Sequence, residues 1–149
     1  MNRSSLRIAV LGIGNMGHPV ALRLHQAGHQ VHAWNRTRAK AEPLTALGIA
    51  VHTTAAEAVR GADMVVSLLE NGTVVEQVLF EQGAAQAMHP GTLLIDMASI
   101  QPREARDHAA RLDEMGLVHL DAPVSGGTVG AETGTLAIMA GGRPEDFAR

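Results

Sequence analysis

The sequence contains no cysteine, which excludes a disulfide framework and thiolate chemistry and fits a reducing compartment. Aromatic residues are scarce, one Trp and two Phe, so Ala, Val, Leu, Ile and Met carry the 46% hydrophobic content. That content excludes disorder, and 149 residues suffice for one domain with a real core. Aliphatic strands spaced by Ala-rich segments suit a parallel sheet covered by helices on both faces. The net charge is only −3 and no basic run occurs, so neither nucleic acid nor an anionic membrane is an expected partner. No apolar stretch is long enough to span a bilayer. The stretch Met1-Asn-Arg-Ser-Ser5 is too short before the first strand to be a signal peptide, so a cytoplasmic protein is expected.

Other absences narrow the chemistry. There is no Gly-x-Ser-x-Gly elbow, hence no support for an esterase-like nucleophile. The eight histidines show no close ligand spacing in a helix; they are expected at the surface or at helix ends, with no metal site. Asp63, Asp96 and Asp121 each border a strand, which points to turn or capping roles.

What is present is organised around residues 6–17. The aliphatic run Ile8 to Leu11 reads as a buried strand, and Gly12-x-Gly14-x-x-Gly17 follows it directly. An amphipathic helix from about Asn15 to Ala27 comes next, with Met16, Val20, Leu24 and Ala27 on one face and Gly28 at its end. Strand, glycine turn, helix is the dinucleotide-binding order. Gly12 permits the tight turn, Gly14 admits a pyrophosphate close to the backbone, and Gly17 lets helix and strand pack closely. The phosphates then sit at the helix N-terminus, where free N–H groups and the helix dipole favour anions.

The rest alternates strand-like and helix-like segments. Strands are expected at Val31 to Trp34, Ile49 to Val51, Met64 to Leu69, Thr92 to Asp96, Leu117 to Leu120 and Thr135 to Ala140. Helices are expected from a Thr37 cap to about Leu47, from a Thr54 cap to Arg60, and over Thr73 to Phe80. Another runs from Pro102 to about Met115 with Ala105, Ala109 and Leu112 inward, and a last one starts at Pro144. The fold class is α/β: a doubly wound, Rossmann-type, mostly parallel sheet with helices on both faces.

NAD-binding units place an Asp or Glu at the end of the second strand to hold the ribose hydroxyls. Here that position falls near Trp34, Asn35 and Arg36, with no acid, and Asn35 and Thr37 can add neutral hydrogen bonds. Arg36 can donate paired charge-assisted hydrogen bonds to a 2′-phosphate. Hydrogen bonds to charged groups are worth about 1.5–3 kcal/mol each. The cofactor expected is therefore NADP(H) in preference to NAD(H). The other reading makes Arg36 a solvated surface residue. Three further loops belong at the carboxyl end of the sheet: Leu68 to Gly72, Asp96 to Pro102 and Asp121 to Gly127. Ser99 can contact a cofactor or cap the helix at Pro102. Ser125, Gly126 and Gly127 offer a hydroxyl and closely spaced N–H groups that suit a carboxylate, or form a glycine turn before a short helix.

Three segments resemble the β-hydroxyacid dehydrogenase family, which includes 3-hydroxyisobutyrate dehydrogenase and tartronate semialdehyde (2-hydroxy-3-oxopropionate) reductase. They are Ile8-Ala-Val-Leu-Gly-Ile-Gly-Asn-Met-Gly-His-Pro-Val-Ala21, Asp96-x-x-Ser99-Ile-x-Pro102, and Asp121-Ala-Pro-Val-Ser-Gly-Gly-Thr-Val-Gly-Ala-Glu-Thr-Gly-Thr-Leu136. The resemblance implies cofactor contacts from Gly12, Ile13, Gly14, Asn15, Met16, Gly17, Asn35, Arg36, Thr37, Leu69, Glu70 and Ser99. It implies a small carboxylate substrate held by Ser125, Gly126 and Gly127. It also implies a catalytic lysine on a helix of an all-helical second domain, and a homo-oligomer in the full-length enzyme. The single lysine, Lys40, lies on the expected adenosine side and does not match that catalytic position, so residues 1–149 are expected to be the cofactor-binding domain alone, inactive by itself. Two alternatives remain. Trp34-Asn35-Arg36-Thr37 with Lys40-Ala-Glu-Pro-Leu44 resembles imine reductases, and a non-catalytic NADP-binding module is the other.

Overall fold

The computed structural model describes residues 4–148; Met1 to Arg3, part of the stretch weighed above as a leader, and Arg149 lie outside the described residues. Six parallel strands form the sheet in the order β3-β2-β1-β4-β5-β6. They are β1 (Arg7–Leu11), β2 (Gln30–Trp34), β3 (Ala50–Val51), β4 (Met64–Ser67), β5 (Leu93–Asp96) and β6 (Val118–Asp121). Strand β1 is central, and the chain moves from it first to β2 and β3, then back past it to β4, β5 and β6. This reversal opens the crevice beside β1 where ligands bind in such sheets.

The strand period of two divides the core. On β1, Ala9 and Leu11 pack into one cluster with Val65, Leu94, Val75, Val78 and Leu112. Ile8 and Val10 face the other way, against Val31, Ala33, Ala21, Leu44 and Ile49. Both faces of β1 are thus buried, which is why it reads as an unbroken aliphatic run. A third, smaller cluster joins Leu93, Val118 and Leu120 at the β5–β6 end.

Helix α1 (Gly17–Gln26) follows the glycine turn, and its buried residues are Gly17, Pro19 and Ala21. The expected face is therefore rotated: Val20 and Leu24 only flank the core, and Ala27 is exposed. Small residues are fully buried because the helix packs close to β1, where longer side chains cannot enter. Helix α2 (Arg38–Ala41) passes into a 3₁₀ segment, Glu42–Leu47, at Pro43, and Gly48 ends it with φ +91°. Thr37 stands at the cap position without a side-chain cap bond, whereas Thr54 does cap α3 (Ala55–Val59) by accepting from the Glu57 N–H at 3.1 Å. Helix α4 (Gly72–Glu76) continues as a π-helical turn, Gln77–Glu81. A short α5 (Ala84–Ala87), absent from the sequence reading, precedes β5.

Helix α6 (Pro102–Glu114) buries Ala105, His108 and Leu112, so His108, expected at the surface, replaces Ala109 on the inward face. Its start is held by the Glu104 carboxylate, which accepts from the Gln101 N–H at 3.2 Å. After β6 the chain leaves the main sheet. Strand β7 (Val124–Ser125), helix α7 (Gly127–Thr133) and strand β8 (Ala137–Ile138) form a small lobe, with β7 and β8 antiparallel. The expected strand Thr135 to Ala140 is thus only two residues long and does not extend the parallel sheet. Backbone bonds between Asp121 and Gly141 tie the lobe to β6, at 2.9 and 2.6 Å, and Arg23 of α1 donates to the Glu132 carbonyl at 3.2 Å. A 3₁₀ turn, Pro144–Ala148, stands where the last helix is expected.

Candidate functional site

The turn from β1 into α1 is the tightest passage in the fold. Gly12 has φ +99°, a conformation that L side chains rarely adopt, and a Cβ there would overlap the Leu68 carbonyl. A Cβ on Gly17 would overlap the Gly12 carbonyl. A Cβ on Gly14 would meet nothing within 4 Å. The first and third glycines serve the chain's own packing, and the second faces open space at the surface. The Ile13 N–H is held by the Asn35 side-chain oxygen at 2.9 Å. The N–H groups of Gly14, Asn15 and Met16 have no partner among the described residues. They stand at the positive end of α1, an arrangement suited to phosphate oxygens.

Beside this turn lies a cleft of about 160 Å³. It brings together Gly12, Gly14, Asn35, Arg36, Thr37, Leu69 and Glu70 of the expected cofactor residues. Ile13 is buried beneath it, and Asn15 and Met16 lie at the surface of the turn. Asn35 has a structural part: while its oxygen accepts from Ile13, its amide donates to the Thr37 carbonyl at 2.9 Å, so one side chain braces both loops. Arg36 is solvated at 71% side-chain exposure, and its guanidinium lies 3.6 Å from the carboxylate of Glu70. An acid absent from the end of β2 is thus delivered from the end of β4.

Trp34, which stands at the cofactor-selecting position, and Lys40, on the expected adenosine side, complete the cleft together with Leu68, Val74, Gln77, Val78 and Gln82, for which the sequence carries no cofactor signal. Val74 and Val78 follow helical spacing and read as ordinary core. The π-helical turn at Gln77 to Glu81 carries part of this wall, and no residue pattern announces such a turn.

Ser99 is exposed in the loop after β5 and lies outside this cleft. It does not cap α6, since Gln101 holds the cap position. Asp96 shapes that loop instead. Its Oδ1 accepts from Ser67 Oγ at 3.0 Å and from the Ala98 N–H at 3.1 Å. Burial raises its carboxyl above the usual range, and the Ala98 and Ser67 bonds oppose this. Asp63, expected in a turn or capping role, instead accepts from the Arg7 N–H at 2.9 Å across 56 residues of sequence, joining the approach to β4 to the start of β1. Ser125, Gly126 and Gly127 are exposed in the β7–α7 lobe, with φ of +127° and +59° at the two glycines. They too lie outside the cleft beside the turn.

A larger cavity, about 460 Å³, lies at the outer edge of the sheet between α6, β6 and the 3₁₀ turn. Arg106, His119, Asp121, Arg143 and Asp146 line it, and none of the expected cofactor residues does. Size alone therefore does not select the site. The smaller cleft has the free N–H groups and the crevice position.

Residues 7–149 match the family described as the NAD binding domain of 6-phosphogluconate dehydrogenase. The chain is 39% identical over 145 residues to 2-hydroxy-3-oxopropionate reductase of Escherichia coli, covering 97% of this chain and 49% of that protein. It is 41% identical over 140 residues to NAD-dependent L-serine dehydrogenase of Pseudomonas aeruginosa, covering 93% and 47%. Among solved structures, 3-hydroxyisobutyrate dehydrogenase of Mycobacterium tuberculosis superposes with a TM-score of 0.93 at 40% identity, over 98% of this chain and 50% of that one. The chain spans about half the length of the curated relatives it matches.

Proposed function

The chain belongs to the family of NAD binding domains of the 6-phosphogluconate dehydrogenase type, and from that we propose that it holds NADP(H) for an oxidoreductase acting on a short β-hydroxyacid or its semialdehyde. The observation that carries this reading is the cluster of unpartnered N–H groups at Gly14, Asn15 and Met16, opening beside a cleft that also holds Arg36 and Lys40. The N–H groups suit the pyrophosphate. The two cations, at the end of β2 and the start of α2, suit a 2′-phosphate, where a carboxylate at Asn35 or Arg36 would repel it.

When bound, the nicotinamide supplies the hydride chemistry. The chain's own residues bind and orient. Asn35 fixes the glycine turn against the Thr37 loop. Trp34, Leu69, Val74 and Val78 give the cleft apolar walls. Ser99 stands at the carboxyl end of β5 and contacts the nicotinamide half. Ser125, Gly126 and Gly127 receive the substrate carboxylate through a hydroxyl and backbone N–H groups. Lys40 belongs to the adenosine end, so the proton donor for the carbonyl oxygen comes from outside residues 1–149. The full-length protein adds a helical domain that completes the pocket and pairs two copies. The isolated chain binds the cofactor and turns over negligibly.

Trp34 is the chain's one tryptophan and lines the cleft, so quenching of its emission reports binding directly. Titrations with NADPH and NADH give the two dissociation constants for the wild type and Arg36→Ala. Loss of the guanidinium should weaken NADPH by roughly ten- to a hundredfold and NADH by less than about threefold. Equal losses for both cofactors would remove the phosphate role of Arg36.

A further inference from the structure

The sheet order places β2 and β4 on either side of β1. The loops that follow them, carrying Arg36 and Glu70, therefore meet across the mouth of the glycine turn. Their side chains stand 3.6 Å apart, 71% and 72% exposed. Among the described residues Glu70 is the one carboxylate lining the cleft, against two cations, Arg36 and Lys40. Neither side chain has another polar partner among the described residues, and both are mostly exposed, so the pair is free to open. In the free protein the carboxylate neutralises the guanidinium that a 2′-phosphate needs.

We propose that Glu70 is a second cofactor-specificity residue, which pairs with Arg36 and competes with the 2′-phosphate for it, so that the NADP(H) preference is smaller than Arg36 alone would set. The proposal rests on the reading of the cleft as a dinucleotide site. Its physical basis is charge. With Glu70 ionised, the cleft presents a net of one positive charge to the phosphate; with glutamine there it presents two. NADPH must displace the carboxylate from Arg36 and then tolerate it nearby. NADH meets neither demand, because its ribose hydroxyl is uncharged and needs no guanidinium. An exposed ion pair is worth about 0.2–1 kcal/mol, so the effect on binding is a small multiple, and salt screens it.

The test is Trp34 quenching with NADPH and NADH on the wild type, Glu70→Gln, Arg36→Ala and the double variant, at low and high salt. Glutamine keeps the size and hydrogen-bonding reach of the side chain, and the thermal midpoint, which loss of so weak a pair should move by no more than about 4 °C, serves as the folding control. Glu70→Gln is expected to tighten NADPH about threefold and NADH by less than about 1.5-fold. The gain should shrink in the Arg36→Ala background and at high salt. An equal change for both cofactors, or a weaker NADPH affinity, overturns the proposal. The two readings separate cleanly. If Arg36→Ala is selective for NADPH while Glu70→Gln is neutral, only the competition fails. If Arg36→Ala weakens both cofactors alike, the phosphate role fails and takes the competition with it.

Discussion

His119 gives the fold a calculable sensitivity to acid. It sits on β6, and Nε2 is buried without a partner among the described residues. Burial, and then the charge of nearby His108, lower its pKa from 6.5 to about 4. The folded state therefore keeps the ring neutral in a range where the unfolded chain binds a proton. Stability from this residue is fully present above about pH 6.5. It is lost as pH falls through that value, and the loss ends near pH 4, where the folded state also binds the proton. The whole span is worth about 3 kcal/mol, of which about 2 kcal/mol is lost between about pH 8 and pH 5. Burial also lowers His32 and His52, which act in the same direction. The raised carboxyls of Asp96 and Asp121 act oppositely, because the folded state there binds protons first as pH falls. Urea unfolding of wild type and His119→Leu at half-unit pH steps isolates the term. The wild type should lose about 2 kcal/mol more than the variant on going to about pH 5. Parallel profiles, within about 0.5 kcal/mol of one another, would refute the reasoning.

Other expectations concern the turn. Gly17→Ala forces the Gly12 carbonyl away from its position. Such overpacking costs about 1–3 kcal/mol, and NADPH affinity should fall roughly tenfold or more, read by Trp34 quenching. Asn35→Ala removes both braces of the turn. It should cost about 1–3 kcal/mol in unfolding free energy and weaken NADPH and NADH by similar factors. A loss confined to NADPH would instead make Asn35 a phosphate ligand.

The sequence made β1, its glycine turn and the presence of α1, though not its buried face, legible because each step needs a particular residue type: aliphatics on two buried faces, then glycine where φ is positive or a Cβ has no room. The capping of α3 by Thr54 was readable for a similar reason, since the bond spans only three residues. Burial of His108 was harder to read. It lies three residues from Ala105 and four from Leu112, on the inward face, but a histidine does not announce burial by type. The end of the chain misled through pattern: Thr135 to Ala140 looks like a strand, yet only Ala137 and Ile138 pair, and with β7. The Arg36–Glu70 contact could not be read at all. It depends on sheet order, which sets residues 34 positions apart across one cleft.

The central claim is that the β1–α1 turn holds the cofactor phosphates. Backbone amide NMR shifts followed during an NADPH titration test it directly. The largest changes should fall on the N–H groups of Gly14, Asn15 and Met16, with Arg36 following. If those signals stay fixed while Gly141, Gly142 and Arg143 at the outer cavity move, the claim is contradicted.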